Sequence, residues 1–370
     1  MAYEIEFLPV GDKSRAGDAI VIRYGEPTNF KLMLVDGGTR DTGEKIVEHV
    51  HRYFGKAARF DDVLLSHSDA DHASGLRTVI DQIPTTKLWM HVPWLLARQA
   101  KDRFKDKHWT DDGIEAAVKS EYDILSDLVA SAQKRGIAIE YPFQGAEVGP
   151  FIVLSPSWRA YRNLLAQFDK TPDPDQAAIE ADGFWLGKEV RLGLLSKMSE
   201  AVRNWVGETW GLELLRDDGK TSASNESSTV LYAAFAPTAR ILLTGDAGVR
   251  GLTMAADYAD ARGLPLRQFR VVQIPHHGSR RNVGPTILTR LIGPRATEGT
   301  SGLLQAWVSA PADDAAHPRK MVLNAFIRRG AAVYATQGGH IHLSDGFLPR
   351  PNYSPKATLP FSPAVEAYDN

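Results

Sequence analysis

Three runs near the N-terminus, YEIEFLPV, GDAIVIRYG and KLMLVDGG, are β-type and are separated by Gly, Pro and Asn turn signals, so they predict a meander that opens a sheet. GEKIVEHVHRYF then has helical spacing, FDDVLLSH is a near-continuous apolar strand, ASGLRTVIDQI is helical and TTKLWMHV returns to β. From Pro93 to Arg135 the pattern turns helical and charged, and DDGIEAAVKSEYDILSDLVASAQKRG closes on a Lys/Arg/Gly stop signal. IAIEYPF and EVGPFIVLSPS read as strands, followed by a polar helical region to about Asp218 that contains the breaker DKTPDPDQ. The β pattern resumes in SSTVLYAAF, ARILLTGD, FRVVQIPHHG, LLQAWVSA, AAVYATQGG and HIHLSDG, with helices around 247–261 and 318–329. Many strands, outer helices and no repeat period predict one α/β sandwich, with helical insertions at about 93–135 and 156–222.

Composition narrows the chemistry more than the fold. A chain of 370 residues with 43% hydrophobic content can bury a large core, and a formal net charge of -2 announces neither a polycation nor an acidic excess. Cysteine is absent. That removes disulfides, thiolate zinc sites and cysteine nucleophiles together, so any metal must be held by His, Asp and Glu. MAYEIEFLPVGDKSR lacks a basic region followed by an apolar one, and no stretch approaches the roughly 18 apolar residues of a membrane helix. A soluble cytoplasmic protein with no membrane partner is the expectation.

LLSHSDADHASGL, residues 64–76, places two histidines and two aspartates in six residues at the exit of an apolar strand. His67 and Asp69 alternate onto one side of the extended exit, and Asp71 and His72 fall at the start of the next helix. Imidazole and carboxylate suit zinc or manganese, and the spacing suggests two ions. The plain alternative is an acidic turn with an aspartate helix cap. A calcium loop counted from Asp69 fails, because Ser74 occupies the glycine position and Ile80 the terminal glutamate position. Three more apolar strands end on polar clusters: Asp36 in LMLVDGG, Asp246 in ILLTGD, and His276 with His277 in VVQIPHHGS. Ligands collect at strand exits in α/β sheets, so a common site explains all four better than separate caps and turns do.

The order VDGG, SHSDADH, TGDAG, PHHGS resembles the metallo-β-lactamase fold, and more closely its branch related to the hydrolase domain of the ComEC/Rec2 competence proteins. The resemblance extends to AGDAIVIRYG and to WVSAPADDAAHPRKMVLNAFIRRGAAVYATQGGHIHLS, covering residues 3–91 and 225–345. It implies a four-layer αββα sandwich, a single such domain over 1–370 with the helical insertions, and two divalent metal ions, Zn or Mn. It further implies that His67 and Asp69 hold one ion, that Asp71, His72 and His277 hold the other, that Asp246 bridges both, and that Asp36 orients ligands from behind. One departure stands out: Ser155 and Pro156 occupy the mid-chain place where classical members supply a further histidine, and His91 is a substitute candidate.

Two cations sharing a water lower its pKa toward neutrality and stabilise the oxyanions of an in-line displacement. No G-x-S-x-G or G-x-x-x-x-G-K-[ST] pattern supports covalent or P-loop chemistry. His276 is read as alternating away from the ligands, where it either binds a substrate phosphate or acts as general acid, or simply packs the turn; Asp71 and Asp246 are the other catalytic candidates. Between Arg262 and Arg350 there are twelve Lys or Arg against four Asp or Glu. With Arg280, Arg281 and His317 as candidate substrate contacts, that balance tilts toward phosphodiesters. Asn225 and Ser228 in SNESSTVLY are candidates for a supporting shell or for a capped turn. His49, His51 and His108 read as solvated, and His340 and His342 receive no role. The expected function is a metal-dependent phosphodiesterase, a DNA nuclease using a hydroxide activated by two metals. A hydrolase of a small cyclic or dinucleotide phosphoester, and a catalytically idle member that binds nucleic acid or a partner, are the alternatives. The partner expected is nucleic acid or a nucleotide, with the helical insertion as a candidate protein dock.

Overall fold

A computed structural model describes residues 1–11, 16–183, 204–300, 302–350 and 353–368. The meander forms: β1 (Ala2–Phe7), β2 (Ile20–Glu26) and β3 (Asn29–Val35) pair antiparallel in succession. β4 (Phe60–Leu64), β5 (Thr85–Trp89) and β6 (Ala138–Glu140) then continue the sheet in parallel. The second sheet starts with β7 (Glu147–Val148) and β8 (Phe151–Ser155), a hairpin that divides the predicted single run at Gly149, φ 56°. A small ladder joins β9 (Trp205–Gly207) to a C-terminal strand described below. β10 (Val230–Ala236) and β11 (Ala239–Leu243) are antiparallel, and β12 (Phe269–Gln273), β13 (Gln305–Val308) and β14 (Ala332–Ala335) follow in parallel. β15 (Ile341–Asp345) crosses back to pair with β1, and β16 (Ala364–Glu366) pairs with β9. Among the described residues each large sheet has seven strands, in orders β15-β1-β2-β3-β4-β5-β6 and β14-β13-β12-β11-β10-β8-β7.

Period-two alternation explains how the sheets stack. On β1 and β2, Tyr3, Ile5, Phe7, Ile20 and Ile22 face the second sheet, where they meet Phe151, Leu231, Ile241, Leu243, Val271 and Trp307. Phe7 packs edge-on to Trp307 at 5.3 Å between centroids. The opposite faces carry their own apolar sets. Val21, Leu32, Leu34 and Val63 pack under the helices of the first half, including Arg40–Phe54 and Leu76–Gln82. Leu242, Val272, Ala306 and Val333 pack under Val249–Ala261, Pro285–Ile292 and Lys320–Ile327. Three buried layers separated by two sheets make the four-layer αββα sandwich of the metallo-β-lactamase kind.

The region 93–135 is helical, but its long predicted helix is two: Asp111–Lys119 and Asp123–Lys134, interrupted where Tyr122 turns into the core, 4% exposed. Between 156 and 222 the described residues hold helices Trp158–Leu165 and Gln176–Ala181 and strand β9; 184–203, with Trp185, lie outside the described residues. No described helix is long and apolar enough to cross a membrane.

Candidate metal centre

Parallel strands share a direction, so the exits of β3, β4, β11 and β12 open at one end of the sandwich, and loops from both sheets meet there. Ser66 O accepts from Thr229 N at 2.9 Å, stitching the β4 exit to the segment before β10. Gly37 N donates to His72 O at 2.8 Å and Gly75 N to Gly38 O at 3.2 Å, which lashes the VDGG turn to the SHSDADH loop. Glycine is required here by closeness: a Cβ on Gly75 would stand 2.1 Å from Gly37 O.

Asp246, 2% exposed, lies at the middle. Its Oδ1 is 3.5 Å from His72 Nε2 and 3.9 Å from His277 Nε2; its Oδ2 is 3.8 Å from His67 Nε2 and 3.7 Å from His276 Nε2. Asp69 Oδ2 is 3.8 Å from His67 Nε2. Ligand atoms of Asp71, His72 and His277 lie within 4.8 Å of one another, as do those of His67, His72 and Asp246. These gaps exceed a hydrogen bond, and His67 Nε2, His72 Nε2, His277 Nε2 and Asp246 Oδ1 are all buried without a hydrogen-bond partner. Orphaned buried acceptors are costly, and ligands about 2.1 Å from one tetrahedral ion sit about 3.4 Å apart, close to the spacing found. The donor set therefore fits divalent cations.

The rings are aimed from behind. His72 Nδ1 donates to Asp36 Oδ2 at 2.8 Å and His277 Nδ1 to Ser309 O at 3.0 Å. Ser66 Oγ donates to Asp36 Oδ2 at 2.7 Å and lies 3.0 Å from His67 Nδ1, whose proton it accepts. In each case the Nδ1 bond leaves an Nε2 lone pair facing the cavity. Asp36 receives a third bond from Ser66 N at 2.7 Å. Asn225 and Ser228 also stand behind the centre: Asp246 N donates to Ser228 Oγ at 3.2 Å, and Asn225 Nδ2 is 3.1 Å from His276 Nδ1.

Electrostatics agree with a site arranged for positive charge. Burial would raise Asp246, but His276, His72 and His277 outweigh it and hold the carboxyl well below its usual range. Burial lowers His72, but Asp246 and Asp36 outweigh it and raise the imidazole well above its usual value. Burial lowers His67, and His72 adds to this. Burial pushes His277 down to about 3. Asp71 is pushed up by burial, with Asp69 and Asp246 adding to the rise while His72 opposes it.

His276 does not alternate away. It and His277 both adopt left-handed backbone, φ 47° and 54°, a strain of about 1–3 kcal/mol each that turns both rings toward Asp246. His317 stacks on His276 at 6.4 Å, its Nδ1 3.3 Å from Asp314 Oδ2. Arg280 is buried, donating to Ala367 O at 2.6 Å with its guanidinium over Tyr368. Arg281 is partly buried, its N 3.2 Å from Ser279 Oγ. Ser155 Oγ donates to Gly251 O at 3.2 Å. His91 is 5% exposed and stacks on Tyr161 at 4.2 Å, outside both ligand groups that surround Asp246.

Two features escaped the sequence reading. Asp18, 1% exposed, lies 3.9 Å from His72 Nδ1, accepts from Gln273 Nε2 at 2.8 Å, and is pushed by burial up to about 7. Its signal was an aspartate at the head of the apolar run AIVI. The second is a cluster on β1: Glu6 meets His49 at 2.9 Å, His340 at 2.8 Å and Arg350 at 2.8 Å, and Glu4 meets His342 at 2.6 Å, Arg23 at 2.7 Å and Arg350 at 2.8 Å. His49, read as solvated, is buried. Glu6, His49 and His340 resemble a ligand set, but their separations are those of hydrogen bonds already made.

The metallo-β-lactamase superfamily model matches residues 14–128. No curated protein sequence matches the chain. Among solved structures, the hydrolase AbOPH of the β-lactamase superfamily is similar at 13% identity and a TM-score of 0.31, over 62% of this chain and 55% of that one. A subclass B3 metallo-β-lactamase from a soil metagenome, MEM-A1, is similar at 10% identity and a TM-score of 0.33, over 78% of this chain and 83% of that one. A long-form RNase Z from yeast is similar at 10% identity and a TM-score of 0.34, over 98% of this chain but 40% of that one.

Proposed function

We propose that the chain is a metal-dependent hydrolase of phosphodiester bonds, with DNA as its substrate. The observation that supports this most is the division of Asp246: one carboxylate oxygen faces His72 and His277, the other faces His67. His67 and Asp69 would hold one divalent ion, Zn or Mn, and Asp71, His72 and His277 a second, with Asp246 common to both. When bound, such a pair supplies a nucleophile at neutral pH and offsets charge on phosphoryl oxygens. Asp36 and Ser309 fix the imidazole tautomers. Asp71 is the carboxylate of the second ion's ligand set, within 4.8 Å of His72 and His277. His317, its ring set by Asp314, and Arg281 beyond the PHHG turn are the side chains proposed to meet the scissile phosphate.

A small cyclic or dinucleotide phosphoester is the second reading, favoured by how the basic residues are spent. Arg290 pairs with Asp257 and Asp260, Arg328 with Glu208, Arg329 with Glu213, and Arg350 with Glu4 and Glu6. The twelve-to-four excess counted along the chain is thus partly cancelled in space, which leaves less positive surface for a long polyanion. Plasmid DNA, single-stranded DNA, RNA and cyclic dinucleotides should be offered to the protein with Mn2+ or Zn2+, alongside Asp71→Ala. Metal-dependent cleavage of DNA that Asp71→Ala abolishes is expected. Turnover of cyclic dinucleotides alone would select the second reading, and cleavage unchanged in Asp71→Ala would overturn both.

A further inference from the structure

We propose that His276 is a metal ligand, completing with His67, Asp69 and Asp246 Oδ2 a set that mirrors Asp71, His72, His277 and Asp246 Oδ1. The inference rests on the two-metal reading of the centre and adds the residue that balances it. Without His276, one ion has a single imidazole and the other has two. With it, each carboxylate oxygen of Asp246 is flanked by two Nε2 atoms: His72 and His277 at 3.5 and 3.9 Å, His67 and His276 at 3.8 and 3.7 Å.

The neighbours of His276 set its tautomer. Asn282 Nδ2 donates to Asp246 O at 2.7 Å, which orients that amide and leaves Oδ1 facing His276 Nδ1 at 3.0 Å. An amide oxygen accepts, so Nδ1 carries the hydrogen and Nε2 keeps its lone pair toward Asp246. Asn225 Nδ2, 3.1 Å from the same nitrogen, gives one of its two hydrogens to Thr221 Oγ1 at 2.8 Å. This is the tautomer that Asp36 sets on His72 and Ser309 O sets on His277. A histidine that only packed a turn would need neither an oriented amide behind it nor left-handed backbone beneath it. Consecutive side chains on an extended exit would point to opposite sides; φ of 47° and 54° at His276 and His277 brings both rings to one carboxylate. The His276 side chain is 32% exposed, so it stands at the mouth of the site and is free to close the remaining few tenths of an ångström onto an ion.

The test is a Zn2+ binding isotherm on the metal-stripped full chain, competed against a chromophoric chelator, for wild type, His276→Ala, His67→Ala and His277→Ala. Wild type should take up two ions. His276→Ala should weaken one of them by more than the roughly 100-fold that marks the upper end for an outer partner. Combining it with His67→Ala should leave the other ion as tight as in wild type. To guard against a variant that fails to fold, 15N-histidine spectra of wild type should show the His276 Nε2 resonance shifting on Zn2+ addition together with those of His67, His72 and His277. Undiminished binding of both ions by His276→Ala, loss of the ion that His277→Ala weakens, or an unmoved His276 Nε2 would each overturn the inference. Fewer than two ions on wild type would strike the two-metal reading itself.

Discussion

Asp246→Asn keeps the shape of the side chain and removes the charge on which the centre converges. The backbone contacts at this position survive, because Asp246 N still meets Ser228 Oγ and Asp246 O still accepts from Asn282. What changes is one anionic oxygen on each side. A four-ligand structural zinc site binds with about 10–16 kcal/mol, or about 2.5–4 kcal/mol per ligand. At about 1.4 kcal/mol per decade, losing a ligand weakens an ion roughly 60- to 700-fold. Because Oδ1 faces His72 and His277 while Oδ2 faces His67 and His276, both ions should weaken, not one. Competition against a chromophoric chelator reads the two affinities, and melting in chelator checks that the metal-free fold is intact. A variant that keeps both affinities, or loses only one, would show that the carboxylate is not shared.

Asp36→Asn should act more gently: it leaves every ligand in place but weakens the hold on His72 and on Ser66, so metal affinity should fall about 10- to 100-fold in the same assay. Gly75→Ala should destabilise by more than about 2 kcal/mol in urea unfolding and loosen the metal site, since its Cβ would press on Gly37 O and part the two loops. Glu6→Gln tests the cluster on β1. Burial would raise the Glu6 carboxyl, but hydrogen bonds from His340 and His49 and the charge of Arg350 hold it below its usual range. A lowered folded pKa gives stability that is present above about pH 4.3 and lost as pH falls through the folded value. Glu6→Gln should therefore cost about 3–5 kcal/mol at pH 7 and flatten the acid limb below pH 4.3, measured as urea midpoints across pH, while both ions bind as in wild type.

Strand-length apolar runs bounded by Gly, Pro and Asn turn signals made the sandwich legible, since β2 and β11 are buried on both faces while β1 alternates its apolar residues with glutamate. The site was legible for a related reason: parallel strands deliver their exits to one edge, so Asp36, His67, Asp246 and His277 could be grouped before any geometry was known. What was hidden depends on partners distant in sequence. His49 sits on the buried face of Arg40–Phe54 only because Glu6, on the opposite end of the first sheet's meander, offers it a carboxylate. The break at Tyr122 contains no Gly or Pro; the packing of the ring overrode the helical propensity around it. His276 was misjudged because alternation assumes extended backbone, and the left-handed turn violates that assumption. Helix Pro285–Ile292 did carry a signal, Pro at its first turn after Gly284, that the strand-rich context obscured.

In the proposed centre one buried aspartate divides two cations between its oxygens. Anomalous diffraction from crystals grown with Zn2+ or Mn2+ tests it most directly. Two peaks should flank Asp246, one beside His72 and His277 and the other beside His67. A single peak away from Asp246, or density gathered at Glu6, His49 and His340 instead, would contradict the account.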